Sequence, residues 1–566
     1  MKIRLSTIVK IIISIVIIGV LYWLMLPPIN WRSTEMWTFL AFCIVICTAI
    51  NFTHKLIELI MPRGSKHGTI VKTGRVRIKD LSAPIVVAAI SLIAIVVFGL
   101  IGSATGWALF SAKAYGQLLT YQTGDFKAEI ADVVTNENGK LNMDSVPVVD
   151  RDTAERLSLR KLGEMSDLVS QFEVDSWYNT QINYKGAPTR VTPLVYGDFF
   201  KWLNNQDKGI PAYITVNMET QETDLVRLSD GIKYSESEYL LRDLNRHLRF
   251  HYPTKIFDNI SFEIDENGTP YWVASTVTYR IGFWSGRDID GVVLCNAING
   301  ECTYYEIGNV PQWIDQAYDS EIILEQLTYN GEYVNGYWNS LFGQKGVLQP
   351  TDGYNYLALN DDVYLYTGMT SVSSDESNVG FVLVNLRTKE TRFYECPGAE
   401  EYSAMESAQG KVQEKNYTAT FPLLLNVNDR PTYFMSLKDS AGLVKMYAFV
   451  DVRQYQIVGT GTSVKEALNA FFGELKNNDE VDLGGESGSA VKEQTVAGVI
   501  ADIRSAVVGG ETRYYILLQN DTAVYVADVG INSRLPFAKV GDSVTMVYTA
   551  SADAMLVSSL ELTAAP

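Results

Sequence analysis

Three apolar runs fill most of the first 110 residues and limit what this 566-residue chain can fold into. They cover residues 8–26, 36–52 and 84–101. Each approaches the roughly 20 residues that a helix needs to cross the hydrocarbon layer of a bilayer. Trp23 and Trp107 lie near proposed ends of the runs, where amphipathic rings favour the membrane interface. The sequence therefore predicts a membrane domain over residues 1–110 with three transmembrane helices.

Basic residues around these runs predict the orientation. Lys2 and Arg4 precede the first run, and seven Lys or Arg residues lie between Lys55 and Lys79, in the connection between the second and third runs. Positively charged segments beside membrane spans stay in the cytoplasm, so the N-terminus and this connection are predicted to be cytoplasmic. Three crossings then place the chain after about Trp107 outside. A cleaved signal peptide is disfavoured because the first run is long and two more follow.

The charge is divided unevenly along a chain whose net charge is −18. Residues 1–110 contain 11 Lys and Arg against 3 Asp and Glu, whereas residues 111–566 contain 36 against 62. Such an acidic body does not suit nucleic acid, because phosphate groups need cations, nor does it suit anionic lipid. The expected partners are the lipid bilayer, through the apolar runs, and an envelope protein, peptide or wall polymer outside the membrane.

Strand and helix patterns divide the body and predict an α+β fold. A linker rich in Gly, Ser and Asn is followed by five closely spaced strand patterns, which predict a small closed β-barrel of OB or SH3 type. The predicted regions are a membrane domain at 1–110, a first α+β region at 111–230, second and third α+β units at 231–395 and 396–475, a linker at 476–494 and the barrel at 495–566.

One pattern recurs in the α+β units. The helical stretches 235–250 and 400–413 are each followed by a strand, a turn rich in Asn and Asp, a Pro and an aromatic-led strand. A helix that covers one face of an antiparallel sheet explains this order. The sequence therefore predicts repeated units of a helix packed on a few antiparallel strands.

Short motifs within these units resemble known envelope proteins. Gly268–Trp272 and Asn296–Glu301 resemble the strand entry and the closing hairpin of the PepSY-type unit of bacterial envelope proteins. Val191–Asp198, Gly209–Tyr213 and Tyr337–Gly343 are similar to segments of multi-pass membrane proteins of Gram-positive bacteria. The resemblance implies an envelope location and supplies no catalytic residues.

The sequence contains no recognisable catalytic set. The Gly-x-Ser-x-Gly pattern of a Ser hydrolase is absent. His247 and His251 have the spacing of a metal-binding pair on a helix, but the Glu of His-Glu-x-x-His is missing and two neighbouring arginines would repel a cation. We expect solvent-facing histidines, no metal and no cofactor. Cys295 and Cys302 flank a turn, and their pairing as a disulfide stays open.

Aromatic residues interleaved with glycine mark one segment as a ligand-binding candidate. Its residues are Trp313, Tyr333, Tyr337, Trp338 and Phe342. Rings on a surface that glycine makes adaptable suit stacking on a glycan or capture of a peptide. Packing of the same rings in the core is the alternative.

These patterns predict a multi-pass protein of the bacterial plasma membrane whose extracytoplasmic body binds a partner or acts as a scaffold without catalysing a reaction. Two alternatives stay open. Paired carboxylates, most densely Asp361 with Asp362 or Asp288 with Asp290, would suit an envelope hydrolase, although Asp normally tightens turns. The basic segment between Lys55 and Lys79 would suit an accessory subunit of a membrane complex.

Overall fold

Three long apolar helices begin the chain. The structure is a computed structural model that describes residues 5–60, 83–130, 147–359, 361–372, 377–478, 494–508, 511–532, 534–550 and 555–563. The helices are α1, Leu5–Met25; α2, Thr34–Ile60; and α3, Ala83–Thr105. Trp37, near the start of α2, packs on Phe98, near the end of α3, with ring centroids 4.7 Å apart. The two helices therefore run in opposite directions.

One of these helices has the length and composition of a membrane span. Ile85–Thr105 is apolar enough over 21 residues to cross a bilayer, whereas Val9–Met25 and Thr34–Ile50 are shorter apolar helices. A helix within residues 1–110 that is long and apolar enough to span a membrane is thus confirmed for α3, while three crossings and their orientation stay predictions. Most of the predicted basic connection, from residue 61 onward, lies outside the described residues.

The body packs on the end of this helix group where α1 and α3 finish. Phe283 and Trp284, in a turn between two strands of the body, contact Phe98 of α3 with ring centroids 5.5 and 5.6 Å apart. Arg249 donates a hydrogen bond to the carbonyl oxygen of Leu26, just beyond α1, at 2.8 Å. A cation is favourable at a helix C-terminus, so this contact fastens α1 to the body.

After α3, the chain forms α4 (Ala108–Tyr115), β1 (Gln122–Thr123) and α5 (Phe126–Glu129). Four successive units then make up most of the described body, each with a helix and a meander of four antiparallel strands, to which short strands are added in all but the second. The first contains α6, Arg151–Gly163; β2, Phe172–Val174; β3, Thr180–Tyr184; β4, Ala187–Tyr196; α7, Phe199–Asn205; β5, Ile210–Asn217; and β6, Thr223–Ile232.

Two units lie within the range 231–395, which the sequence analysis treats as one. The second unit contains α8, Leu244–His251; β7, Ile256–Ile264; β8, Pro270–Ile281; β9, Ser285–Asn296; and β10, Cys302–Glu306. The third contains α9, Ser320–Glu332; β11, Leu348–Pro350; β12, Asn355–Leu359; β13, Asp362–Ser371; β14, Ser377–Asn385; and β15, Thr391–Ala399. β1 joins this sheet by parallel pairing with β15.

The fourth unit completes the series. It contains α10, Glu401–Lys411; β16, Thr418–Ala419; β17, Leu423–Val427; β18, Arg430–Lys438; β19, Val444–Asp451; β20, Val458–Gly461; and α11, Val464–Asn477. Ser463 caps α11: its Oγ accepts from Glu466 N–H at 3.2 Å, and Glu466 Oε2 accepts from Thr462 N–H at 2.9 Å.

Both faces of the second sheet are buried, which explains its long apolar strands. Trp272 and Cys295 point into the larger core, which also contains residues of the first and fourth units, whereas Val273 and Leu294 point into a second core. Ile322 of α9 belongs to that second core, as do residues of the third sheet. Successive strand residues point to opposite faces, so one strand serves two cores.

The C-terminal region contains the five predicted strands: β21, Gln494–Val508; β22, Glu511–Leu518; β23, Val524–Asp528; β24, Ser543–Ala550; and β25, Met555–Thr563. They pair in the order β21-β22-β23-β25-β24, and β24 pairs in turn with β21. Ile500, Ile516 and Met546 belong to a separate core here. Most of the predicted linker, residues 479–493, lies outside the described residues.

The predicted helix over residues 235–250 is shorter in the structure, because α8 begins at Leu244. The preceding chain forms a tight loop in which Leu244 N–H donates to Ser235 O at 3.1 Å. Asp243 caps α8 by accepting a hydrogen bond from Arg246 N–H at 2.9 Å. An N-cap residue has a non-helical backbone, so Asp243 sets the start of the helix. This loop forms one wall of the site described next.

Candidate functional site

A cavity of about 380 Å³ lies where the end of α1 meets the first and second units. We call it the junction cavity. It is lined by four carboxyl side chains, three aromatic side chains, one arginine and two smaller neighbours: Asp198, Glu236, Glu238, Asp243, Trp23, Tyr196, Tyr239, Arg246, Ser237 and Leu240. A concave site that combines aromatic surface with a few converging polar groups is typical of ligand pockets.

Two helix starts bring carboxylates to the cavity. Asp198 caps α7 by accepting from Phe200 N–H at 2.8 Å and Lys201 N–H at 3.0 Å. Asp243 caps α8 in the same way. The hydrogen bonds from the α7 backbone lower the pKa of Asp198, whereas burial raises the pKa of Asp243. Because α7 and α8 each begin with an Asp N-cap residue, two carboxylates lie in the wall of the cavity.

Glu238 is the most buried acid of the cavity, with 2% of its surface exposed. It accepts hydrogen bonds from the Tyr196 hydroxyl at 2.8 Å and from Trp202 Nε1 at 2.7 Å. Burial raises the pKa of Glu238, and these donors oppose that shift. Because both donors are neutral, they fix the carboxylate in position without cancelling its charge.

Arg246 connects the membrane helices to the cavity wall. Its guanidinium carbon lies 4.3 Å from the centroid of the Trp23 ring, and Nη1 lies 3.8 Å from Asp243 Oδ1. Arg246 Nη1 also donates to Leu240 O. Trp23 in turn packs on Phe250 with ring centroids 5.7 Å apart. The last turn of the apolar helix α1 therefore forms a wall of the cavity.

The lining keeps a negative charge. Three cations face the four acids: Lys201 lies 3.4 Å from Asp198, Arg246 pairs with Asp243, and the charge of Arg242 opposes the rise in pKa that burial causes at Glu238. Glu236 accepts from the neutral amide of Asn245 at 2.8 Å. Clefts with one sign of charge and low-dielectric walls concentrate the field. A cation placed against the rings of Trp23 or Tyr239 would also gain from their negative faces.

Exposed apolar side chains surround the cavity. We call them the apolar rim: Phe199, Phe200, Leu203, Tyr239, Leu240, Leu241 and Phe250. Phe200 is 72% exposed and Leu240 is 65% exposed. Phe199 and Tyr239 pack together with ring centroids 5.2 Å apart, and Phe250 contacts Tyr22 and Trp23 of α1. Exposed apolar clusters of this size are typical of interaction surfaces.

The structure separates the five aromatic residues selected from the sequence. Tyr337, Trp338 and Phe342 come together, with Trp338 and Phe342 stacked at 6.0 Å and respectively 63% and 79% exposed. We call these three the aromatic turn, because Asn339–Gly343 form one π-helical turn there. Tyr333 instead packs on Tyr329 at 6.2 Å, and Trp313 packs on Tyr271 at 5.1 Å.

The acids named for a hydrolase are mostly held by cations. Asp288 pairs with Lys389 at 2.6 Å, Asp290 with Lys255 at 3.1 Å and Asp362 with Arg387 at 2.6 Å. Asp361 lies in a turn with φ +68°, where it accepts from Gln312 at 3.2 Å. None of these four lines the junction cavity. These ion pairs and hydrogen bonds favour a structural role of the four acids, in turns and ion pairs, over a catalytic one.

His247 and His251, which the sequence analysis expects to face solvent, lie beside Cys302 in the structure. His247 and His251 lie on one face of α8 beside Cys302 of β10. Cys295 is directly opposite Cys302 in the β9–β10 pairing, and both thiols are free. The i,i+4 histidine spacing signals half of this group, but only the fold brings Cys302 to it.

Sequence reasoning did not find the junction cavity, because its residues come from three distant segments. Trp23 at the end of an apolar run and the two Asp N-caps are the signals that the sequence offers for it. Comparison with models of protein families produced no match, and comparison with curated proteins produced none either.

Proposed function

We propose that the chain is a membrane-anchored, extracytoplasmic binding protein of the bacterial cell envelope that captures a basic amphipathic peptide segment at the membrane surface. The observation that carries this proposal is the junction cavity, which is acidic, lined by aromatic rings and built partly from the end of α1. A peptide with Lys or Arg on one face and apolar residues on the other would match the carboxylates and the apolar rim.

The proposal includes the multi-pass topology with a cytoplasmic N-terminus. The excess of basic residues before α1 and between α2 and α3 supports it, since such segments stay inside. The body packs where α1 and α3 end, and this packing supports a location of the whole body on one side of the bilayer. The PepSY-like character of the repeated units and the OB or SH3 type of the C-terminal strands belong to the same proposal.

The aromatic turn is a second binding candidate within this function. Its stacked, exposed Trp338 and Phe342 favour it, because large rings normally avoid solvent unless a partner covers them. Cross-linking in intact cells should capture an envelope partner that Trp338→Ala and Phe342→Ala together lose. Trp177→Ala, which removes another exposed tryptophan, is the control. Retention of every partner by the double variant would remove the aromatic turn from the proposal.

Direct binding tests the junction cavity. The full chain is placed in nanodiscs of zwitterionic phosphatidylcholine, which do not attract basic peptides by charge. A labelled amphipathic peptide of Leu and Lys is titrated, together with a version in which Glu replaces Lys. We expect saturable binding of the Lys peptide alone. Loss of one exposed charge pair, by Glu236→Gln, should weaken it roughly two- to fivefold.

Matched variants make the outcome decisive. Glu222→Gln removes an exposed acid that does not line the cavity and should leave the affinity unchanged. Tyr239→Leu removes a ring shared by the cavity and the apolar rim and should weaken binding. Equal affinity for the Lys and Glu peptides, or equal effects of Glu236→Gln and Glu222→Gln, would overturn the proposal.

A further inference from the structure

A compact group of nitrogen and sulfur ligands lies outside the junction cavity. One potential metal-ligating atom from each of His247, His251 and Cys302 lies within 4.8 Å of the others. The two imidazole centroids are 4.3 Å apart. His251 is exposed and the other two side chains are partly exposed, so an ion from solvent can reach the group.

The fold holds these side chains in place from several directions. α8 presents both histidines on one face because residues four apart are neighbours on a helix. Tyr252 donates to the Cys302 carbonyl at 3.2 Å, which fastens the end of α8 to β10. Gly300 precedes Cys302 in the turn with φ +76°, and a side chain there would collide with Tyr234, whose ring packs on His247 at 4.4 Å.

Backbone carbonyls orient both imidazoles. His247 Nε2 contacts Gly300 O at 2.7 Å, and His251 Nδ1 contacts His247 O at 2.9 Å. His251 therefore keeps a second ring nitrogen for an ion, whereas the His247 ring also interacts with the Leu241 backbone, so an ion would replace one of its two backbone contacts. Metal-ligating histidines in proteins commonly give one N–H to a carbonyl in this way, which fixes the tautomer and the ring direction.

The neighbouring arginines do not argue against a cation, in contrast to the expectation from the sequence. The Arg246 guanidinium lies over Trp23 and donates to Leu240 O. The Arg249 guanidinium donates to Leu26 O and Lys255 O. Both charges are thus committed to the junction with the membrane helices.

We propose that His247, His251 and Cys302 form a binding site for a divalent transition-metal ion of the zinc class. Two imidazoles and one thiolate are ligands that Zn²⁺ takes in three-residue sites with an open fourth position. On binding, the Cys302 thiol gives its proton to solvent and its sulfur bonds to the ion. An ion held there would tie α8 to β10 and so stiffen the wall that carries Asp243 and Arg246.

Metal titration of the full chain tests this proposal independently of peptide binding. The protein, without a polyhistidine tag, is reduced, stripped with a chelator and titrated with Co²⁺ and then Zn²⁺. We expect one Co²⁺ per chain, with the visible bands of tetrahedral cobalt and a thiolate-to-cobalt charge-transfer band. Zn²⁺ should displace it with the same stoichiometry, and elemental analysis should give one zinc per chain.

Variants assign the ligands. His251→Gln and Cys302→Ser should each weaken binding by about tenfold or more, and Cys302→Ser should abolish the charge-transfer band. Cys396→Ser, which removes a thiol in the third unit, should leave both unchanged, and circular dichroism checks that each variant is folded. No stoichiometric uptake, or a charge-transfer band that survives Cys302→Ser, would overturn the proposal. The proposal would also be overturned if Cys295 and Cys302 form a disulfide and the protein takes up no metal once that disulfide is reduced.

Discussion

The guanidinium of Arg246 covers the indole of Trp23 at 4.3 Å and joins α8 of the body to the last turn of α1. Cation–π pairs are worth about 1–2 kcal/mol when they are partly desolvated, and the Arg246 side chain is only 15% exposed. This pair therefore couples α1 to the acidic wall of the junction cavity.

A double-mutant cycle should detect that coupling. Trp23→Leu and Arg246→Met together should destabilise the protein less than the sum of the two single changes, by about 1 kcal/mol in the free energy of unfolding. Urea titrations of the full chain in detergent measure it. The Trp31 and Arg32 pair, 5.3 Å apart with Trp31 half exposed, is the control cycle and should give about half that coupling. Additive effects of Trp23 and Arg246 would contradict the prediction.

Local sequence signals predicted much of this fold. The five C-terminal strands lie in the region where the sequence shows five strand patterns, since alternating apolar residues between turns leave few other pairings. Ser463, with Glu466 three residues later, is likewise a local signal for the start of α11. These signals lie within a few residues of each other, which is why sequence reasoning reaches them.

The sites could not be predicted in the same way. Cys302 and His247 are far apart in the chain, and their proximity depends on how α8 packs on the second sheet. The start of α8 was also missed, because the residues from Ser235 onward have helical spacing while a tertiary contact from Leu244 N–H to Ser235 O holds them in a loop. Long-range packing decided both points.

Lys389 should be a sensitive position for stability. Its Nζ lies 2.6 Å from Asp288 Oδ1 and donates to Leu118 O at 3.1 Å, so it joins the second sheet, the third sheet and the segment after α4. Lys389→Met would leave a largely buried carboxylate with only the exposed Arg280 as a cationic partner, and should cost about 3 kcal/mol.

The control for Lys389 is Lys411, whose 2.8 Å pair with Glu474 is exposed. Lys411→Met should cost less than about 1 kcal/mol because solvent screens this pair. Urea unfolding of both variants in the same detergent makes the comparison. Similar costs for the two changes would show that the Asp288 pair contributes no more than a surface ion pair.

One glycine lies against α11 and another lies within it. Replacing each by alanine should change the stability of the protein in opposite directions. A Cβ at Gly459 of β20 would collide with the backbone of Phe471, whereas a Cβ at Gly473 would meet nothing within 4 Å. Gly459→Ala should therefore cost about 3 kcal/mol through overpacking, and Gly473→Ala should stabilise the exposed helix position by about 0.5–1 kcal/mol. Thermal unfolding followed by circular dichroism gives the order, and a neutral Gly459→Ala would contradict this packing.

Glu263 and Asp315 form a buried acidic pair that should make stability depend on pH. Glu263 accepts from Asp315 N–H at 2.9 Å, and Asp315 Oδ2 accepts from Asn183 N–H at 2.6 Å. Asp315 Oδ1 has no hydrogen-bond partner among the described residues. Burial raises the pKa of Glu263 to about 7, and burial together with the Glu263 charge raises the pKa of Asp315.

The raised pKa values set the sign of the pH dependence. The folded protein holds these protons to a higher pH than the unfolded chain, so the contribution of this pair to stability is greatest below about pH 4.5 and is lost as the pH rises through 7. The Glu263 shift alone corresponds to about 3 kcal/mol. Asp315→Asn keeps the acceptor for Asn183 and removes one charge. Between low pH and pH 8, this variant should therefore lose at most half of the free energy of unfolding that the unmodified protein loses. Glu222→Gln, at an exposed position, should leave the profile unchanged, and parallel profiles for all three proteins from pH 5 to pH 8 would show that this pair does not titrate as a buried unit.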